Sequence, residues 1–358
     1  KLLNYQIFPM AKYYLFTYLF LFVGFFIIRK SIKKEIKVGY YRLSVSLLAF
    51  YLTLILLLKE NIPKYISLIG LIKGLAEGLY YYPTNIFDTE KISNENRKKY
   101  SGLLNTFSTL ISIIVPIILG IFLDKYSYIK IGKVMLVFII LMLINSFFIK
   151  DEPYKKNKFS YKEFKNYIKN KPIFNKVSII RILEGLTYSS SALNVIMTLY
   201  TITYIENNTH YGIFNSVLSF ISLITTTIYA YKKSHKEKNI IIITNVLTIL
   251  SLIYLLISPS VYSLILYLII YNSVITYVIL ISKNKVVNLT NEYHKIKNEF
   301  KAEYHLYIEF NLFKGRLISY LIFLFIGLLN NIFYFKILII IGIISYFILL
   351  YILREINE

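Results

Sequence analysis

Long apolar stretches recur along the chain at helical length, separated by short polar connections. A helix needs about 20 predominantly apolar residues to cross the roughly 30 Å hydrocarbon core of a bilayer. Runs that approach this length lie near residues 7–28, 43–58, 66–87, 102–123, 130–149, 182–204, 211–231, 240–257, 260–282, 307–329 and 332–353. The pattern predicts an all-α, polytopic transmembrane helical bundle of 11 spans, grouped 5 + 6 around one long polar segment.

Charge in the connections orients such a bundle, because cytoplasmic loops carry an excess of Lys and Arg. RKSIKKEIKVGYYR, TEKISNENRKKY, YKKSHKEK and SKNKVVNLTNEYHKIKNEFK are strongly basic, whereas YIENNTHY, SPS and LNN hold no Lys or Arg. Alternating these two sets puts Lys1 outside and the C-terminal tail, with Arg354, in the cytoplasm of a multi-pass cell-membrane protein. The longest polar stretch, KDEPYKKNKFSYKEFKNYIKNKPIFNK, then lies inside. It divides the chain into an N-terminal transmembrane half (1–149), a basic cytoplasmic linker (150–181) and a C-terminal transmembrane half (182–358). Phe159, Phe164 and Ile168 in the linker have near-helical spacing, which fits either an amphipathic helix on the inner membrane face or a solvated linker whose aromatics touch neighbouring loops.

Composition narrows the function. The formal charge of +22 is spread over the inter-span loops, so no nucleic-acid partner is expected, and membrane lipids are the natural counterpart. The absence of Cys excludes thiol catalysis, disulfides and Cys-ligated metal. His210, His235, His294 and His305 sit in loops or at interfaces without metal-ligand spacing, and the phosphate-binding sequence G-x-x-x-x-G-K-[ST] is missing. No catalytic arrangement emerges, so the chain reads as a non-enzyme, and neither cofactor nor metal is expected.

Two groups of spans around a long inner linker resemble the Major Facilitator Superfamily, whose carriers have twelve helices in two six-helix halves. On that mapping the first run corresponds to the family's second helix, and the family's first helix is absent ahead of Lys1. The loop between the family's second and third helices reads approximately G-x-x-x-D-R-x-G-R-R. Its counterpart here, IIRKSIKKEIKVGYYR, keeps the basic character without the first glycine or the aspartate. The family's fifth helix often carries G-P-x-x-G-G ending at an acidic residue, and SGLLNTFSTLISIIVPIILGIFLD keeps Pro116, Gly120 and Asp124. The resemblance implies secondary active transport of a small-molecule solute by alternating access, and either a proton or another cation is open as the coupling ion.

Individual residues sharpen this. In ISLIGLIKGLAEGLYYYPTNIFD, Gly70, Gly74 and Gly78 recur on one helical face and form a packing seam. Lys73 and Glu77 share a face of the same span, roughly 10 and 16 Å from its outer end. An ionisable group at that depth costs on the order of 2.5–3.5 kcal/mol against lipid, so both must face the bundle interior or a water-filled cavity. They are candidates for the solute and ion pathway, the alternative being a permanently closed ion pair. Tyr80, Tyr81 and Asn85, close to Pro83, follow toward the inner end. In the sixth run Glu184, Tyr188 and Asn194, with Ser189, Ser190 and Ser191 between them, form a polar stretch assigned to the same pathway. Arg181 is expected to snorkel to the inner interface. Asp124, Glu309 and Arg316 are candidates for gate or structural ion pairs. Two other readings stand beside the carrier: a lipid or glycolipid flippase, and a non-transporting membrane sensor or assembly protein.

Overall fold

The computed structural model describes residues 7–29, 37–91, 94–149, 159–188, 191–231, 237–293, 296, 299–329 and 335–356, some helical stretches by their backbone alone. The described elements are α1 (Ile7–Ile28), α2 (Lys37–Leu58), a 3-10 turn over Lys59–Tyr65, α3 (Ile66–Lys91), α4 (Asn94–Lys125), α5 (Tyr128–Ser146), α6 (Tyr161–Ile168) and α7 (Pro172–Thr187). They continue with α8 (Ala192–Tyr204), α9 (Asn208–Tyr231), α10 (Glu237–Ile257), α11 (Val261–Glu292), α12 (Lys301–Leu329) and α13 (Phe335–Ile356). Each predicted run contains helix, and no strand occurs among the described residues.

What the helices show to their surroundings identifies the solvent. On α4, Phe107, Ile111 and Phe122 are exposed, and on α5 Val134, Phe138 and Leu141 are. A water-soluble monomer does not expose contiguous apolar surface on this scale. Among the described residues seven stretches are long and apolar enough to cross a membrane, one of them, Val38–Asn85, running through both α2 and α3. The elements in the sixth run do not qualify, because that run is not one helix. It breaks between Thr187 and Ala192 into α7 and α8, where the sequence reading has a single span.

The helices form two compact units. One comprises residues 1–92, 128–185 and 290–332, the other residues 93–127, 186–289 and 333–358, so each draws on both sides of the linker. In the first unit the glycine stripe of α3 lies directly on α1. A Cβ built on Gly70 would meet the Tyr13 carbonyl oxygen at 2.5 Å, and those on Gly74 and Gly78 would fall on the carbonyls of Thr17 and Leu21. The seam is completed by Gly24 of α1, opposite Gly78. Dispersion between backbones in such close register is what holds helices together where lipid competes for every apolar side chain. The same unit holds α2 against α3 through a buried bond from the Ser44 hydroxyl to the Ala76 carbonyl at 2.7 Å. Arg42, from the first basic loop, donates to the Ser146 carbonyl at 3.2 Å and the Ile149 carbonyl at 3.3 Å, capping the C-terminal end of α5.

The linker helix α6 belongs to this unit too. Ser160 caps it by accepting from the Glu163 amide, and the Ser160 amide donates to Glu303 Oε1 at 2.9 Å. Phe164 is fully buried among Phe300, Tyr304 and Tyr307. The segment is therefore a helix, as the first reading has it, but its apolar face packs on protein, including Tyr304 and Tyr307 of α12, and not on the membrane face.

In the second unit α4 and α9 make the corresponding close approach. Cβ atoms on Gly120 and Gly212 would strike the carbonyls of Asn208 and Pro116, and the Ser216 hydroxyl donates to the Ile113 carbonyl at 2.6 Å. The Pro116, Gly120 and Asp124 pattern is thereby explained as one face of α4 shaped to receive α9. Ser189 and Ser190 lie outside the described residues, as do His235, His294 and residues 150–158 of the linker.

The two kinds of glycine differ in an observable way. Gly74→Val drives a side chain into backbone, whereas a Cβ on Gly132 meets only the movable side chain of Leu56. Thermal unfolding in detergent should show Gly74→Val destabilised by about 1–3 kcal/mol or more, with Gly132→Ala well below that. Equal losses would mean that the seam does not organise this unit.

Candidate functional site

The seam that fixes α3 on α1 also fixes what the adjacent face of α3 meets. Lys73 and Glu77 each precede a seam glycine, which turns them about 100° from the contact line. Lys73 Nζ lies 3.6 Å from Glu77 Oε1, and the side chains retain 28% and 25% exposure. The pair is thus brought together as expected and is open on one side.

Tyrosines surround it. Lys73 Nζ is 5.4 Å from the Tyr13 ring centroid, and the Tyr13 hydroxyl shares a 2.9 Å hydrogen bond with that of Tyr51 on α2. Tyr320 of α12 stacks on Tyr14 and Tyr18 of α1 with centroids 5.5 and 5.1 Å apart. The Arg316 guanidinium carbon stands 4.9 Å from the Tyr18 ring centroid. Lys73, Glu77 and Arg316 all lie within electrostatic reach of Tyr18 and Tyr81. Tyr81 falls one turn beyond Glu77 and is 47% exposed. Tyr80 packs its ring against Tyr41 and Tyr81, at 5.8 and 5.3 Å. Asn85 is partly exposed, and it is Thr84, beside Pro83, whose hydroxyl bonds the Tyr80 carbonyl at 2.7 Å.

A second charged cluster lies between α7 and α12, which approach closely at Gly185 and Gly315. Arg181 does not snorkel. Its guanidinium makes a close ion pair with Glu184, a carboxylate whose side chain is 3% exposed, and a looser one of 4.0 Å with Glu309. Charges this far from water demand a partner, and the short step from Arg181 to Glu184 on one helix supplies it. Glu309 therefore turns to Arg181, while Arg316, two turns along α12, turns to Tyr18. Nearby, the Ser178 hydroxyl donates to Asn311 Oδ1 at 2.8 Å.

In the second unit Asn194 closes the break between α7 and α8. Its amide nitrogen is within hydrogen-bond distance of the carbonyls of Thr187 and Tyr188 at 3.1 and 2.7 Å, the Ser191 hydroxyl at 3.3 Å and the Tyr271 hydroxyl at 3.0 Å. The break leaves carbonyls without helical partners, and Asn194 answers them from within the protein. Tyr188 is buried beside it. Asp124 ends α4 as a cap for α9: its oxygens accept from the Asn208 amide at 3.3 Å and the Thr209 amide at 2.8 Å, and from the side chains of both residues. The Asn207 side chain accepts from the His210 amide, so the first three amides of α9 are all satisfied.

Sequence reasoning found the charges and missed the aromatic wall. Tyr14, Tyr18 and Phe22 recur at helical spacing in the first run, and that was the available signal; Tyr51 and Tyr320 come from elsewhere and had none. Among the described residues no group of three or more His, Cys, Asp or Glu could hold a metal ion.

This geometry can be set beside known proteins. An uncharacterized protein of Bacillus subtilis (strain 168), YqgE, is 24% identical over 224 residues, 60% of this chain and 51% of its own length, so the chain spans about half of the curated relative it matches. A bacterial homologue of the iron transporter ferroportin, crystallised in its inward-facing state, aligns with a TM-score of 0.68 at 14% identity over 99% of this chain and 90% of its own. The human organic anion transporter MFSD10 (TETRAN) aligns at 0.62 with 13% identity over 97% and 83%. The Escherichia coli fucose:proton symporter, FucP, aligns at 0.59 with 13% identity over 100% and 92%. Such different cargoes at similar likeness show the fold and leave the cargo open. The family model of the Major Facilitator Superfamily matches residues 10–285, and with the helical order and the packing described above, the chain belongs to that superfamily.

Proposed function

We propose that this chain is a secondary carrier that moves a small solute by alternating access, with Glu77 as the coupling site for a proton or cation and Lys73 as its partner. One observation carries the reading: Lys73 and Glu77, which the sequence sets well inside a span, meet at 3.6 Å with about a quarter of each side chain exposed. A buried pair is a poor source of stability because desolvation offsets its attraction, so an ionisable pair set deep in a span is better accounted for by what it can exchange than by what it holds together. An open pair has exchangeable partners. When Glu77 takes up a proton it releases Lys73, which becomes free to hold an anionic group of the solute. When Lys73 returns, the proton leaves.

Among the described residues, two of the helix crossings that join the segments on either side of the linker are extensive. In the first unit α1 meets α12, where Tyr320 stacks on Tyr14 and Tyr18, and a Cβ on Gly327 would lie 2.9 Å from the Phe8 backbone. In the second, α4 meets α9 at the Asp124 cap. We take the halves 1–149 and 182–358 as the bodies that rock, with these crossings as the surfaces that must slide or part. Arg181, with Glu184 and Glu309, is a latch near the inner end of α7 and α12. The loop charges support a location in the cell membrane with the tail in the cytoplasm.

In proteoliposomes, Glu77→Gln should abolish solute-dependent proton or cation movement while the purified protein keeps its elution profile and melting temperature. Full coupled flux by that variant would end the coupling proposal. Arg181→Met leaves two carboxylates facing each other without a cation and should cost about 3–5 kcal/mol in thermal unfolding. Adding Glu184→Gln and Glu309→Gln to it should recover most of the loss. Failure of that recovery would show that Arg181 acts through packing and not through charge.

A further inference from the structure

On α12 a cation stands on a face that is otherwise apolar and exposed. Lys314, Ile318, Leu321, Phe325 and Leu328 follow one another at intervals of four and three residues, so they form one stripe, and each of them is exposed. Beyond Lys314 the stripe holds no polar group, which suits hydrocarbon and not a water-filled cavity. The apolar part of α12 ends at Leu329, ahead of Asn330 and Asn331 in the sequence. Lys314 is fifteen residues back, about 22 Å along the helix, which leaves it within a hydrocarbon core of roughly 30 Å. A lysine at that depth reaches for the membrane boundary with its long stem. Its ammonium bends back toward the amino end of α12, 4.4 Å from the Phe310 ring centroid and 3.4 Å from Asn311 Oδ1. Neither of those groups carries a negative charge.

A second cation without a counter-charge lies at the end of the neighbouring helix. Arg29 follows the last turn of α1, its guanidinium covers the Phe26 ring, and its Nη1 is buried with no hydrogen-bond acceptor. A charged donor left in that condition loses its water and gains nothing in return. Among the described residues neither Arg29 nor Lys314 meets a carboxylate within ion-pair distance. One phenylalanine joins their surroundings. Phe22 of α1 lies 6.4 Å from Phe26 on its own helix, and 5.3 and 4.7 Å from Phe310 and Phe313 of α12, between ring centroids. Phe26 and its neighbour Ile27 are half exposed. The crossing of α1 and α12 therefore presents a connected ring surface, Phe26, Phe22 and Phe310, with a cation resting on each end of it.

We propose that this crossing binds an acidic phospholipid, its head group drawn between Arg29 and Lys314 and its acyl chains laid along Phe26, Ile27 and the exposed stripe of α12. The chains match the apolar surface, and the phosphate supplies the acceptor and the charge that both cations lack. A zwitterionic lipid brings a cation of its own to the same place and offsets less. Bound there, the lipid bridges α1 and α12 and stabilises the arrangement in which they touch. The proposal concerns binding and does not depend on the carrier reading.

The test uses the purified full chain in mild detergent, titrated with dioleoylphosphatidylglycerol or dioleoylphosphatidylcholine and followed by thermal unfolding and native mass spectrometry. Phosphatidylglycerol should raise the melting temperature and stay bound at lower concentration than phosphatidylcholine. Lys314→Leu continues the apolar stripe, so it should fold as well as the parent chain in detergent alone. It and Arg29→Gln should each weaken phosphatidylglycerol binding roughly fivefold, and the two together by more. Lys64→Gln, an equal change of charge in the 3-10 turn, should leave that binding unaltered. Unchanged binding in the double variant, or an equal loss in Lys64→Gln, would overturn the proposal by showing attraction to the overall charge and not to this crossing. Equal binding of phosphatidylcholine would overturn it on the head group. Stabilisation by glycerol phosphate as strong as that by the lipid would overturn it in favour of a soluble phosphate.

Discussion

An ionised side chain cannot face lipid tails, and the arrangement of the first unit follows from that constraint. Lys73 and Glu77 lie near the middle of α3, so one side of α3 has to meet something wetter than hydrocarbon. The other side has to anchor the helix without help from the hydrophobic effect, which is absent between helices in a bilayer. Gly70, Gly74 and Gly78 supply the anchor by bringing α3 onto the backbone of α1. That contact line sets the rotation of α3, and with it the neighbours of the charged pair: Tyr13, Tyr14 and Tyr18 come from the helix that the glycines grip.

The same logic recurs wherever polar groups enter the membrane. Arg181 is buried beside two carboxylates, at a crossing made tight by Gly185 and Gly315. The break between α7 and α8 exposes carbonyls, and Asn194 with Tyr271 encloses them. The amino end of α9 presents unpaired amides, and Asp124 receives them. In these three places the polar groups are answered within the protein. The pair on α3 differs in joining two opposite charges well inside a span while about a quarter of each side chain stays exposed, and that combination makes it the candidate site.

Much of this was legible in the sequence, for reasons of periodicity and depth. Apolar runs gave the helices, and the four-residue spacing of glycines gave the seam. The depth of Lys73 and Glu77 within a span marked them as candidates, since an ion there is costly unless it is sheltered from lipid. Partners brought from elsewhere in the chain were not legible. The sequence reading places Arg181 at the interface although Glu184 stands three residues on, because the packing of α12 that brings Glu309 and encloses the pair comes from a remote segment. Glu309 and Arg316 share a face of α12 but turn to different partners, which no pattern within that helix could reveal. The sixth run reads as one span because apolar residues continue on both sides of Tyr188. Pro116, Gly120 and Asp124 were recognised as a motif before their purpose was visible, and that purpose is the close approach of α9.

The central claim is that Lys73 and Glu77 open onto water within the membrane-spanning bundle. Because the chain has no cysteine, it can be tested without a background. A charged, membrane-impermeant thiol reagent that reacts only with hydrated thiolates would be applied to Lys73→Cys and to Ile118→Cys, the latter replacing a 44% exposed apolar residue of α4. Rapid labelling of the first with none of the second is the predicted result. Labelling of Ile118→Cys with an inert Lys73→Cys would contradict the account, because the charged pair would then be sealed and the site would have no route for a solute.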